Sequence, residues 1–312
     1  MNVRVIEHQY KESPSHFARI LSPYGQYPSD SFITKDSIYI ATEKLSFSVF
    51  KNIPDNEGDS YSEVQLLYPE EIRLYSSLML SVDREKSFLA FYPYPYSIPL
   101  FVSDSEAGID TNTISEISTI LSSGLAKPNP QNFPYSYPTL EDIKLPPLVG
   151  GPEYNFRDSI NYELARTIYE KIDTSDGILI RGLSTFIKSR MLTMHHQFME
   201  ESITDLYISL EASYRLVLRK LRQQGVENPT SKDASAYICS VFNIVDGADR
   251  YFEADYEDRI MSLHPESRFG IFPVAPLGVD DGYALFDNLL EIYAFLIAGY
   301  VHPKHNKSQN TD

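Results

Sequence analysis

Asp176-Gly-Ile-Leu-Ile-Arg-Gly-Leu-Ser-Thr-Phe-Ile-Lys-Ser-Arg-Met-Leu-Thr-Met-His-His-Gln-Phe-Met-Glu-Glu-Ser-Ile-Thr-Asp-Leu-Tyr-Ile-Ser-Leu-Glu-Ala-Ser-Tyr-Arg-Leu-Val-Leu-Arg-Lys-Leu-Arg-Gln-Gln-Gly225 is a run of about 50 residues in helical pattern without a proline. A single globular helix rarely runs that far, so the pattern predicts a break near Glu200 and two antiparallel helices. In the second, Leu206, Leu210, Tyr214, Leu216, Leu218 and Leu221 form the core stripe, and Gly225 is placed to cap the C-terminus.

Working outward, the 3.6-residue period holds from Asp158 to the end of the chain. It predicts a helix over Asp158 to Ile172, a shorter one over Asp233 to Val241 capped by Ser231, and another over Asp249 to Leu263 stopped by Pro265. Asp280-Asp281 caps a last helix through Tyr300. Leu285, Phe286, Leu289, Leu290, Ile292, Tyr293, Phe295, Leu296 and Ile297 make it apolar nearly all round, the pattern of a central bundle helix or of one that also feeds an oligomer interface.

Towards the N-terminus the period changes to two. Ser37 to Phe50, Leu78 to Val82 and Lys86 to Tyr92 read as sheet strands. Ser13-Pro14 before His16 to Leu21 reads as the start of a short helix, and Asn112 or Thr113 as the cap of another over Ile114 to Ser123. No Gly-rich phosphate loop, Ser or Cys elbow or His cluster accompanies these elements. The run Phe91-Tyr-Pro-Tyr-Pro-Tyr96 reads as an edge strand blunted by prolines, with a peptide-docking strip as the alternative. Residues 126–156 carry seven of the chain's 20 prolines and read as a linker or strap. The expected fold class is therefore α+β: a mixed, strand-rich N-terminal domain over residues 1–125, the strap over 126–156, and an all-α helical bundle over 157–312.

Composition sets bounds on function. The 312 residues carry 27 Lys and Arg against 43 Asp and Glu, a formal charge of −16 that is −10 over residues 1–175 and −6 over 176–312, so neither half is a basic module. Such a chain repels phosphate backbones except where positive charge is concentrated locally. The one cysteine, Cys239, makes no internal disulfide and no Cys-based zinc site. No basic flank with an apolar core opens the chain and no 18-residue apolar run occurs, so a cytoplasmic protein with no membrane partner is expected.

One constellation carries chemistry: Tyr256-Glu-Asp-Arg259-Ile-Met-Ser-Leu-His264-Pro265-Glu-Ser-Arg268-Phe-Gly270. Arg259 and His264 form an Arg-x4-His pair at the end of the next-to-last predicted helix. With Leu210-Glu-Ala-Ser-Tyr-Arg-Leu216 before it and the apolar helix after it, this region, roughly 180–300, resembles the HEPN superfamily (higher eukaryotes and prokaryotes nucleotide-binding domain). The resemblance implies a HEPN-like bundle, a homodimer that brings two Arg-x4-His motifs into one cleft, and a metal-independent endoribonuclease that leaves a 2′,3′-cyclic phosphate and a 5′-hydroxyl. It also implies RNA as substrate, a protein regulator of antitoxin type, a place in bacterial stress or phage defence, and no cofactor or metal. In family nucleases the position after the Arg is often polar, and here it is Ile260.

With 14 Arg and seven His in the chain, and spacings of x4 to x6 allowed, about one such pair arises by chance, and Arg190 with His195 at x4 or His196 at x5 is a rival. Five residues on a continuous helix turn about 140°, so the two side chains diverge unless the helix stops between them. His264 precedes Pro265, which biases it out of helical dihedrals and lets its ring turn back. Arg190 and His195 have no such stop, so they read as a surface Arg and a His on or near the core stripe.

The chemistry suits the residue types. Metal-free cleavage needs a group that takes and returns a proton near neutral pH, which His does, and a planar cation for phosphorane oxygens, which Arg supplies. Against this, Arg259 follows Asp255, Glu257 and Asp258 and is equally suited to a carboxylate pair, while His264-Pro265 suits a helix stop. Arg215, Arg219 and Arg222 form a basic stripe that could track RNA or pair with carboxylates such as Glu211, and Arg268 is a second phosphate contact or a loop anchor. His196 with Glu200 offers only two metal ligands, too few for a site. A non-catalytic HEPN-like interaction or ligand-sensing module stands as the alternative, and no residue supports an enzyme in the N-terminal domain.

Overall fold

The computed structural model describes residues 3–5, 16–21, 30–41, 46–51, 67–82, 98–102, 116–117, 119, 160–193, 198–244, 252 and 279–305. Two compact units divide the chain, Met1–Leu74 with Val82–Ser159 and Tyr75–Ser81 with Ile160–Asp312. The class is α+β: a six-stranded antiparallel sheet lies in the first unit, and five of the six described helices follow its last strand. No described helix is long and apolar enough to cross a membrane. The strap expected at 126–156 and the strand expected at Lys86 to Tyr92 lie outside the described residues.

The strands are β1 (Val3–Val5), β2 (His16–Leu21), β3 (Asp30–Ile33), β4 (Ser37–Ala41), β5 (Ser46–Lys51) and β6 (Ile98–Val102), in sheet order β1-β6-β2-β5-β4-β3. His16 to Leu21 is thus a strand, where a helix was expected. It pairs on one side with β5, Phe17 opposite Phe50, and on the other with β6, Phe17 opposite Pro99. Ladder bonds on both edges outweigh the local Ser-Pro signal, which knows nothing of distant partners. The run Ser37 to Phe50 is two strands paired as a hairpin, with Ala41 opposite Ser46 and Ser37 opposite Phe50.

Residues opposite one another share a face, so Phe17, Arg19, Ser48, Phe50, Ser37, Tyr39 and Phe32 line one side of the sheet. Helix α1 (Pro69–Met79) supplies partners to that side. Phe17, Phe50 and Tyr68, the residue before α1, form a ring triangle with centroids 5.6–5.8 Å apart. Beside it the buried Arg19 donates to both carboxylate oxygens of the buried Glu71, at 2.5 and 2.9 Å, while Glu71 also accepts from the Tyr68 N–H at 3.0 Å. Glu71 therefore caps the start of α1 and neutralises an arginine in the core. Leu78 and Met79 end this helix and were expected in a strand. Pro69 at its first position and two acids in the first turn are its start signal, but Glu71, Ser76 and Ser77 are buried along with Ile72, Leu74, Tyr75, Leu78 and Met79, so polar residues do not mark a solvent face.

In the second unit, α2 (Tyr162–Lys171) starts at Asn161, whose side chain accepts from the Leu164 N–H at 3.0 Å. Helices α3 (Gly177–Thr193) and α4 (Met199–Gln223) replace the long run, divided between Thr193 and Met199, just before the expected Glu200. They are antiparallel, since Asp176 meets Arg219, Gly182 meets Ser209, and Ser189 meets Ser202. Gly225, at φ +95°, ends α4 in a Schellman turn, with Val226 N–H on the Leu221 carbonyl and Gly225 N–H on that of Arg222. Helix α5 (Ser231–Val241) is capped one residue earlier than expected. Thr230 and Asp233 form a reciprocal capping box, which a Ser at 231 cannot complete at that spacing. Helix α6 (Val279–Ala298) closes the unit.

Three helices meet at one point. Tyr293 of α6 donates to the Ser209 carbonyl at 2.8 Å, and the Ser209 hydroxyl lies 3.0 Å from the Gly182 carbonyl and 3.1 Å from the Tyr293 hydroxyl. All are buried, and burial pushes the Tyr293 hydroxyl far above its ordinary pKa, so it stays a proton donor. The approach is possible only because residue 182 has no side chain: a Cβ there would stand 2.2 Å from the Tyr293 oxygen and 2.8 Å from the Ala212 Cβ. Phe186 stacks on Phe286 one turn away, at 4.4 Å and 10°. Gly182→Ala is expected to destabilise the helical unit by about 1–3 kcal/mol, despite the better helix propensity of alanine, as read from urea unfolding.

Candidate functional site

Arg259, His264 and Arg268 lie outside the described residues, as do His195 and His196. The described chain reaches the motif from both sides. Upstream, Phe252 is helical and buried, its N–H donates to the Ser235 hydroxyl of α5 at 3.2 Å, and its ring lies 5.3 Å from that of Tyr214 on α4. Downstream, α6 begins at Val279 and runs into the Gly182–Ser209–Tyr293 junction.

The basic stripe on α4 is described, and two of its three arginines meet carboxylates. Arg215 reaches Glu211 one turn back at 3.0 Å with both groups exposed, a pair of small energetic weight. Arg219 donates to both oxygens of Asp176, at 2.5 and 3.3 Å. Asp176 also accepts from the Ile178 and Leu179 N–H groups as the cap of α3. Burial opposes its ionisation, but the Arg219 bond and the helix N–H groups outweigh it and hold the carboxyl below the usual carboxylate range. Arg222 is exposed at the last turn, and Lys220 lies over the Phe295 ring at 4.5 Å.

Arg190 corrects the sequence reading. Expected at the surface, it is buried, with its guanidinium 4.6 Å above the Phe286 ring. A long aliphatic stem and a weakly hydrated planar head let arginine lie on an aromatic face inside a bundle, which periodicity alone does not distinguish from exposure.

Several buried or half-buried titratable groups carry no local sequence signal. Asp205 on α4 is half-buried; burial raises its pKa, against the pull of Lys188 and Arg181 on α3. Glu291, in the apolar middle of α6, is buried and meets Lys304 and His305 from the residues beyond the helix. His16 is buried in β2. Among the described residues no group of three or more His, Cys, Asp or Glu is placed to hold a metal ion. Comparisons with family models, with curated proteins and with solved structures find no match to this chain.

Burial, aided by the charge of Lys51 opposite it, lowers the His16 pKa to about 4, so the ring is neutral in the folded protein. Between about pH 4 and the ordinary histidine value near 6.5 the unfolded chain binds a proton that the folded one does not. His16 therefore supports stability fully above that upper value and loses it as pH falls towards 4. Replacing it by Gln should flatten the pH dependence of urea-unfolding stability across that window by about 3 kcal/mol.

Proposed function

We propose that the helical unit is a HEPN-like metal-independent endoribonuclease in which His264 moves the proton between the ribose 2′-hydroxyl and the departing 5′-oxygen, and Arg259 holds the phosphate. The observation that supports this most directly is the docking of Phe252 between Tyr214 and Ser235. In the helix expected over Asp249 to Leu263, Phe252 and Arg259 are seven residues apart, about two helical turns. Pro265 follows His264 and biases it out of helical dihedrals, the sequence feature that would let its ring turn back towards Arg259.

In this reading a homodimer formed through the bundle supplies two Arg/His pairs to one phosphate, Arg268 adds a contact, and exposed Arg222 extends the basic track. With a charge of −16, RNA affinity is weak and falls steeply with salt. A cytoplasmic setting, a role in stress or phage defence and a regulator of antitoxin type belong to the same proposal. The second reading is a non-catalytic HEPN-like interaction or ligand-sensing module. The ion pairs of Arg215 with Glu211 and Arg219 with Asp176 favour it, because they neutralise much of the stripe on which an RNA backbone would lie.

The test is cleavage of single-stranded RNA in EDTA. Wild type should cut to 2′,3′-cyclic phosphate ends, and His264→Ala and Arg259→Ala should each slow the reaction by about 100-fold or more. Cleavage that requires magnesium, or that survives both substitutions, contradicts the nuclease reading.

A further inference from the structure

The chain beyond α6 folds back onto its own unit. Gly299, at φ +71°, ends the helix with its N–H on the Phe295 carbonyl, and residues 301–305 turn so that the His305 N–H meets the His302 carbonyl at 3.0 Å. Lys304 and His305 then land on Glu291. The Lys304 Nζ is 2.6 Å from one carboxylate oxygen and the His305 Nε2 is 2.9 Å from the other. The His305 ring lies 5.0 Å from that of Phe242, nearly parallel at 28°. Its carbonyl accepts from the Asn243 side chain at 3.1 Å. Asn243 itself adopts φ 50°, a left-handed position that asparagine tolerates and that follows directly on α5 and its cap Phe242.

These contacts have the form of a recognised peptide more than of packed core. One buried carboxylate takes the Lys304 ammonium and the His305 ring nitrogen, one aromatic face takes the imidazole, and one carboxamide takes the main-chain carbonyl. Glu291 is 7% exposed, so a cation must meet it there at a desolvation cost that a helix of apolar composition does not otherwise call for. Lys304, by contrast, is half-exposed, and Pro303 is exposed, so this C-terminal strap, residues 299–305, lies on the surface of its unit.

We propose that the notch formed by Glu291, Phe242 and Asn243 is a recognition site for a basic peptide segment of a partner protein carrying adjacent Lys and His, and that the chain's own residues 304–305 hold it closed in cis. This proposal does not depend on the nuclease reading. A tether of a few residues presents the strap at roughly millimolar effective concentration, so a peptide in trans competes only weakly until the strap is released. The notch is thus autoinhibited by its own ligand type.

The test uses the full-length protein and a fluorescent peptide with the sequence of residues 299–312, followed by anisotropy. The Lys304→Ala/His305→Ala protein should bind that peptide at least about tenfold more tightly than wild type, because the competing strap is weakened. Adding Glu291→Gln to that protein should return the affinity to the wild-type level or below. Asn243→Gly keeps the left-handed backbone and removes the side-chain N–H that donates to the strap carbonyl, so it should weaken binding several-fold even if the Glu291 variant does not fold. Equal binding by wild type and the strap variant, binding indifferent to both notch substitutions, or conversion of the strap variant to a tail-exchanged dimer would each overturn the proposal.

Discussion

A glycine that lets a tyrosine hydroxyl reach a serine is the constraint on which the helical unit depends. Gly182 brings α3 close enough for the Ser209 hydroxyl to reach its carbonyl, and Tyr293 closes the junction from α6. The polar groups there are buried and satisfy one another, and such a junction specifies position in a way that apolar contacts alone do not. From it the register of α3 on α4 runs both ways: to Ser189 and Ser202 at one end, and to Asp176 and Arg219 at the other. The stacked pair of Phe186 and Phe286, with Arg190 on the outer face of Phe286, extends the same α3–α6 contact by one to two turns. Helix α6, from Val279 to Ala298, is anchored to this junction through Tyr293.

The N-terminal sheet solves a comparable problem with charge. Strands β4 and β5 are buried on both faces, an unusual condition for an antiparallel sheet, and Arg19 sits within that core. Glu71 makes the arginine tolerable and at the same time caps α1, so the helix start and the ion pair are one device. Tyr68 links it to the aromatic face of β2 and β5.

Much of the helical unit was legible because its signals are local. The break near Glu200, the stop at Gly225 and the apolar last helix follow from length, a glycine in left-handed conformation and composition. What escaped depends on partners far along the chain. The strand at His16 to Leu21 is decided by ladders to residues 46–51 and 98–100, and α1 hid its period because it is buried all round. Arg190 and Glu291 are charged residues whose burial no periodicity reveals, since each depends on a ring or a cation supplied by another segment. For the candidate site, the flanking anchors were legible only in part: Tyr214 stood in the core stripe, but its pairing with Phe252 joins residues 38 apart in sequence.

Ser209 and Tyr293 act as a coupled pair that fixes three helices, and a double-mutant cycle in urea unfolding measures that coupling directly. Ser209→Ala and Tyr293→Phe each remove a hydroxyl and leave the helix and most of the packing unchanged. A coupling energy of about 1 kcal/mol or more between them is expected. Additive effects, with coupling below about 0.3 kcal/mol, would contradict it and show the junction to be a contact without an organising role.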